Sequence, residues 1–246
     1  MTLRGWKTRY REIRDVFGYK ESDDITSAKK LNSIVEKKFP SSNIKKKIFG
    51  KTVFVIGAGP SLDNAITIMK KYKNVTKIVA DGAVQALIKN NIEPDILVTD
   101  LDGNMTSIKK ISKTNIPIIV HAHGDNKGQL DIVKKFKNKI GTTQSEKFGR
   151  LENFGGFTDG DRCVFLAENF KAKKIILIGM DFGNTIGKYS KHIIKDPSLK
   201  LKKLACGKKL LEWLATKSNS DLYTMSKPIK GFKKISLTDL DFIIDA

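Results

Sequence analysis

Two stretches decide how the chain is read, Pro94-Asp95-Ile96-Leu97-Val98-Thr99-Asp100-Leu101-Asp102-Gly103 and, before it, Val79-Ala80-Asp81-Gly82-Ala83. Each is a short apolar segment, Ile78 to Ala80 and Ile96 to Val98, that ends in carboxylates and a glycine. Short Val/Ile/Leu runs bounded by turn formers are the signature of strands buried on both faces. Outward from them the pattern repeats from Thr52 onward, with strands expected at 52–56, 77–80, 95–99, 116–121, 138–142 and 174–179. Helices are expected between them at 62–72, 83–90, 105–112, 128–136 and 160–170. Strands alternating with helices predict an α/β fold, an open and mostly parallel Rossmann-like sheet with flanking helices.

On either side of this core the pattern changes. Residues 3 to 38 place Trp6, Tyr10, Ile13 and Phe17 on one helical stripe and Ile25, Ala28, Leu31, Ile34 and Val35 on a second. Gly18 and Ser22-Asp23-Asp24 separate the stripes, the latter reading as an N-cap region. Pro40 to Asn43 closes this appendage, and Lys45 to Lys47 leads into the core. The tail offers one long helix near 199–217, with Leu201, Leu204, Leu211 and Leu214 on its apolar side, then a strand near Leu222-Tyr223 and a short ending. The expected organisation is therefore an N-terminal helical segment at 1–50, an α/β catalytic core at 51–186, and a helix and strand at 187–246 completing the core.

Charge narrows the function classes. The net charge is +20, and residues 1–50 and 187–246 each carry 13 Lys+Arg against 6 Asp+Glu. Only six basic residues are arginine, the side chain that dominates base and bidentate phosphate contacts. The lysines read as solvated helix and strand edges, so no nucleic-acid partner is expected. Apolar runs such as Ile175 to Ile178 are too short to span a bilayer, and no leader is recognised, so the expectation is a cytoplasmic protein without a membrane partner. Cys163 and Cys206 lie far apart and near no histidine cluster, which suggests neither a disulfide framework nor a zinc site.

Four motifs carry the chemistry. Gly57-Ala58-Gly59-Pro60-Ser61-Leu62 follows a strand and opens a helix; its glycines let backbone approach a ligand, Ser61 can cap the helix, and the exposed amides favour an anion. Asp100 and Asp102 are two apart, so with Leu101 packed inward both carboxylates face one cleft, where a hard cation such as Mg²⁺ relieves their repulsion. An ordinary Asx turn is the alternative for that pair taken alone. His121-Ala122-His123-Gly124-Asp125-Asn126 follows a strand; with no cysteine nearby and His192 remote in sequence, zinc is not expected. There Asp125 is expected in the same cleft as Asp100 and Asp102, with the imidazoles donating to phosphate or carboxylate. Lastly, Asn153-Phe154-Gly155-Gly156-Phe157-Thr158-Asp159-Gly160-Asp161-Arg162 combines glycines, carboxylates and a first-turn arginine that can meet phosphate oxygens. Eight acids, Asp81, Asp95, Asp100, Asp102, Asp125, Asp159, Asp161 and Asp181, fall at expected strand ends or Gly-rich loops, the part of a parallel sheet that lines a ligand crevice.

These motifs, in this order, resemble the archaeal 6-hydroxymethyl-7,8-dihydropterin pyrophosphokinases, the MptE-like family, and more distantly the thiamin pyrophosphokinases. The likeness spans about 52–184 and is weak over the N-terminal helices. It implies a thiamin-pyrophosphokinase-like fold and Mg²⁺-dependent transfer of the β,γ-diphosphate of ATP to a pterin hydroxymethyl group, releasing AMP, in tetrahydromethanopterin synthesis. On this reading Asp100 and Asp102 hold Mg²⁺, with Asp81 and Asp125 as further ligands. Arg162 and the Gly155-Gly156 amides grip phosphate, Gly57, Gly59 and Ser61 border the nucleotide or the pterin, His123 donates to phosphate or carboxylate, and Asp159 or Asp161 meets metal or the substrate hydroxyl. The partners implied are ATP and a pterin alcohol, with a homodimer left open. A metal-dependent glycosyltransferase using Asp-x-Asp, a thiamin pyrophosphokinase and a nucleic-acid-binding module are the rival readings.

Overall fold

The computed structural model describes residues 2–37, 39–190 and 196–245. Among the described residues eight strands form one sheet: β1 (Thr52–Ile56), β2 (Thr76–Ala80), β3 (Ile96–Thr99), β4 (Ile118–Ala122), β5 (Lys139–Thr143), β6 (Lys174–Ile178), β7 (Asp221–Thr224) and β8 (Lys233–Lys234). Their spatial order is β5-β4-β3-β2-β1-β6-β7-β8, and every pairing among the described residues is parallel. The strands that follow 186 thus extend the sheet beyond β6. β1 lies between β2, which immediately follows it in sequence, and β6, which comes five strands after β1. Strand order reverses there, and a parallel sheet opens a crevice at the carboxyl ends on either side of such a point.

Burial on both faces explains why the strands lack polar alternation. Phe54, Ile56, Val79, Leu97 and Ile118 face one apolar layer, against α4 (Ile66–Lys71), α5 (Asp81–Lys89) and α6 (Met105–Ser112). Val53, Val55, Ile78, Ile96 and Ile175 face the other, against α3 (Ser41–Ile48), α7 (Asp159–Asn169) and α8 (Pro197–Ala215). The first two helices divide between the layers: α1 (Trp6–Phe17) sends Trp6, Tyr10 and Ile13 to the second, α2 (Glu21–Ile34) sends Ala28, Leu31 and Ile34 to the first. α2 packs against the edge strand β5, where an open strand would otherwise invite pairing with another chain, and α1 reaches the residues just past it, Trp6 Nε1 donating to the Gln144 carbonyl at 3.1 Å.

Several expectations change. Ser41 to Ile48 is a helix, not a lead-in, because Ile44 and Ile48, one turn apart, are both fully buried. The 62–72 helix divides into a 3₁₀ segment, Pro60–Ala65, and α4; 128–136 is 3₁₀ over Leu130–Lys135. Ile25 is exposed, and on α8 the deeply buried leucines are Leu210, Leu211 and Leu214, while Leu201 and Leu204 are half-buried. A terminal helix α9 (Asp239–Asp245) follows β8. α2 starts at Glu21 after Lys20, so Ser22-Asp23-Asp24 lies inside the helix and caps nothing. Asp95 stands at the amino end of β3, accepting the Lys77 amide at 2.9 Å, on the far side of the sheet from the crevice. His192 lies outside the described residues.

Candidate active site

The carboxyl ends of β1, β2, β3, β4 and β6 open into one cleft, which Gly57, Asp81, Asp100, His123 and Gly179 line as the first residues beyond or near those ends. Its floor is acidic. Asp81, Asp100 and Asp102 each offer a carboxylate oxygen, and these oxygens lie within 4.8 Å of one another. The turn that brings Asp100 and Asp102 together depends on Leu101, which is buried and takes φ +74°. A branched side chain rarely adopts that conformation, so the turn is locally strained and its surroundings hold it. The holding bonds are identifiable: the Leu101 amide donates to Thr99 Oγ1 at 2.8 Å, and the Asp102 amide donates to Asp100 Oδ1 at 3.2 Å. Asn126 Nδ2 then ties the Asp100 carbonyl to the His121 carbonyl, at 2.7 Å to each.

Asp81 is the buried member. Its Oδ2 accepts Thr99 Oγ1 at 2.9 Å and the Gly103 amide at 3.1 Å. Burial, followed by the charges of Asp100 and Asp102, pushes its carboxyl up to about 7. Burial and the same neighbours raise Asp159 well above the usual carboxylate range, and its Oδ1 is buried without a hydrogen-bond partner. Four acids so arranged repel one another unless protons or a cation intervene. An all-oxygen donor set with an orphaned buried oxygen beside it fits a hard divalent cation such as Mg²⁺.

Not every expected residue joins this floor. Asp125 lines the cleft but stays outside the trio, mostly exposed, with Oδ2 3.9 Å from His123 Nδ1 and 4.0 Å from Lys203 Nζ. His123 does reach the floor, its Nε2 lying 3.3 Å from Asp100 Oδ2. His121 faces the interior: fully buried, with Nδ1 3.2 Å from Thr142 Oγ1, and burial holds it well below its usual pKa, hence neutral. Asp161 is committed to its own loop, accepting the Phe157 amide at 2.9 Å on one oxygen and the Thr158 amide at 2.6 Å on the other.

The phosphate-gripping expectations meet a packing obstacle. Arg162 is buried behind the cleft, its guanidinium donating to the Gly156 and Phe157 carbonyls at 3.0 Å each. Gly155 and Gly156 are buried at φ +93° and +91°, and a Cβ there would meet Phe165 at 2.7 Å and the Arg162 backbone at 2.6 Å. Their glycine identity serves the turn and its packing. Gly57 and Gly59 line the cleft, yet a Cβ on either would strike Met180, Gly179 or Asp181 within 3 Å, so they let β1 and β6 loops close on each other. The Ser61 amide already has an anion, Asp181 Oδ2 at 2.9 Å, and its hydroxyl pairs with Ser226 at 3.1 Å instead of capping.

The same cleft is lined by residues to which the sequence reading gave no role: Tyr19 after α1, Gln144 after β5, Phe157, and Lys200 and Lys203 on α8. For the lysines a signal existed, their i, i+3 spacing beside Leu204, but it was lost among other lysines.

The family described as 6-hydroxymethylpterin diphosphokinase MptE-like matches residues 26–187. The chain belongs to the MptE-like family. Three relatives named 6-hydroxymethyl-7,8-dihydropterin pyrophosphokinase are similar over nearly their whole length. The one from Methanocaldococcus jannaschii is 43% identical over 235 residues, covering 88% of this chain and 97% of that protein. That from Pyrococcus furiosus is 40% identical (90% and 97% covered), and that from Methanothermobacter thermautotrophicus 38% (87% and 95% covered). Among solved structures, the MAf glycosyltransferase from Magnetospirillum magneticum superposes with a TM-score of 0.55 at 15% identity over 82% of this chain and 39% of that one. That likeness places the MptE-like chain in an α/β fold that other chemistry also uses, and carries no activity with it.

Proposed function

We propose that the protein transfers the β,γ-diphosphate of ATP to the hydroxymethyl group of 6-hydroxymethyl-7,8-dihydropterin, with Mg²⁺ and with release of AMP, as a step toward tetrahydromethanopterin. The observation that carries this reading is the convergence of Asp81, Asp100 and Asp102 on the floor of the cleft, in a chain so similar to proteins named for that activity. Bound there, Mg²⁺ would neutralise charge on the triphosphate, which is most of what phosphoryl-type transfer demands of a protein.

The chain's own residues do the positioning. Asp100 and Asp102 hold the cation, and Thr99 and the Gly103 amide orient Asp81 toward them. His123, against Asp100, is placed to donate to a phosphate oxygen or to that carboxylate. Lys200 and Lys203, which line the same cleft, supply positive charge for the phosphates. Held between the metal-bearing acids and these lysines, donor and acceptor would be aligned, and alignment alone accounts for a large share of such a barrier. The sequence lacks the Gly-x-x-x-x-Gly-Lys-Ser/Thr loop with which P-loop kinases cradle ATP for γ-transfer.

The test is phosphorus NMR of the products from ATP and a panel of alcohols that includes the hydroxymethylpterin and thiamin. AMP and the pterin diphosphoryl ester are expected. ADP with a monophosphoryl ester, or transfer to thiamin alone, would reject the proposal.

A further inference from the structure

Part of the cleft lining is aromatic, Tyr19 and Phe157, and it is built rigidly. Tyr19 follows Gly18, which at φ +69° closes α1 while the Tyr19 amide donates to the Arg14 carbonyl at 3.0 Å. Behind it Phe17 stacks on the Tyr19 ring at 5.7 Å and 14°, and packs on Phe157 at 5.0 Å. Phe157 is pinned at both ends of its peptide unit, since Asp161 accepts its amide and Arg162 donates to its carbonyl. Two buried ionic groups thus hold one half-buried ring in the cleft, a costly arrangement for a mere space filler.

One group already covers that wall. Lys203 Nζ lies 5.3 Å from the Tyr19 ring centre and 5.9 Å from that of Phe157, and 4.0 Å from Asp125. A cation over a ring face is a weak, replaceable contact, whereas an ammonium meeting a phosphate oxygen is a charge-assisted hydrogen bond. α8 carries Lys203 into the same cleft as the carboxylate floor, so a triphosphate held there competes for the amine.

We propose that Tyr19 and Phe157 are the seat of the acceptor's planar ring, and that Lys203 covers this seat until nucleotide phosphate draws its amine away. Flat heteroaromatic rings are well matched to such a surface, since stacking needs a π-face and little else. The consequence is ordered synergy: nucleotide uncovers the seat, and the acceptor then stacks. The proposal rests on the diphosphokinase reading above.

The experiment measures Kd for 6-hydroxymethyl-7,8-dihydropterin with and without a non-hydrolysable ATP analogue and Mg²⁺, in the wild type, Tyr19→Leu and Lys203→Met, each checked for unchanged circular dichroism. Product formation by the wild type is followed in parallel. In the wild type, acceptor affinity should rise at least tenfold when the analogue is present. Lys203→Met should bind acceptor nearly equally with and without the analogue. Tyr19→Leu should weaken acceptor binding at least tenfold in both conditions and change analogue affinity less than twofold. Unchanged acceptor affinity in Tyr19→Leu, or a loss confined to the analogue, which would make the wall the adenine seat, overturns the proposal while wild-type turnover leaves the activity standing. A wild type that neither binds nor converts the pterin overturns both. Synergy that survives in Lys203→Met removes the covering role.

Discussion

The Gly124 amide donates a 2.7 Å hydrogen bond to Asp24 Oδ1, joining the second helix to the loop beyond β4 across a hundred residues of sequence. Asp24 is almost fully buried, and its other oxygen accepts Tyr10 Oη at 2.6 Å and Gln144 Nε2 at 2.8 Å. Burial, then the Asp24 hydrogen bond and charge, raise the Tyr10 pKa, so the phenol stays a donor. One carboxylate therefore fixes the loop that carries His123 and the side chain of Gln144, both of which face the cleft. Asp24→Ala would strand three donors, at a cost of roughly 2–4 kcal/mol. It should lower Tm and reduce kcat by more than tenfold as His123 loses its place, a loss read at a temperature where the variant is folded. Normal kcat in a destabilised variant would leave Asp24 a role in folding alone.

A second prediction concerns the trio. Asp100→Asn or Asp102→Asn removes one charge from three crowded oxygens, so without metal each variant should be as stable as the wild type or slightly more so, by roughly 1 kcal/mol. Turnover should fall by several orders of magnitude, and Mg²⁺ should no longer raise Tm. Retained turnover at limiting Mg²⁺ in both variants would refute the metal-holding role.

The pH dependence has a definite sign. Asp81 ionises near 4 in an unfolded chain and near 7 when folded. A folded pKa above the unfolded one favours the native state while the group is protonated, so this contribution is complete below about pH 4 and is lost as pH rises from 4 through about 7, with a slope of up to about 1.4 kcal/mol per pH unit. Metal-free protein should therefore lose stability across that window, and added Mg²⁺ should stabilise more at pH 8 than at pH 5.5. In Asp81→Asn the slope should flatten. Denaturant titrations at several pH values measure it, and an unchanged slope in the variant would assign it to other groups.

What could be read in the sequence was local. The strands announced themselves because both faces are buried, leaving uninterrupted apolar runs such as Ile175 to Ile178. Asp100 and Asp102 could be paired because one strand mouth places both. Asp24 and Tyr19 could not be found that way, since their meaning lies in contacts with Gly124, Gln144 and Phe157, distant in sequence and set by how the first helices flank the sheet edge. Arg162 shows the same limit from the other side: a first-turn arginine beside glycines has the composition of an anion site, whereas in the fold its guanidinium donates to the Gly156 and Phe157 carbonyls, a pairing that composition does not reveal.

That placement gives Arg162 a testable consequence of its own. Its guanidinium bridges two loop carbonyls, while burial weakens its charged form and Asp159, Asp161 and Asp100 strengthen it. It is a fixed cation beneath the acidic floor, and removing it leaves buried carboxylates uncompensated. Arg162→Met should cost roughly 3–5 kcal/mol, the range for breaking a buried pair by deleting one partner. Arg162→Lys keeps the charge but lacks the planar fork that spans two carbonyls, so it should cost less, about 1–3 kcal/mol. In the Lys variant Phe157 loses an anchor, so acceptor KM should rise while nucleotide affinity of the folded protein stays within a few-fold of wild type. Thermal melts combined with separate nucleotide and acceptor titrations distinguish the roles. If Arg162→Lys melts like the wild type yet binds nucleotide tens of times more weakly, the guanidinium contacts phosphate and its structural assignment is wrong.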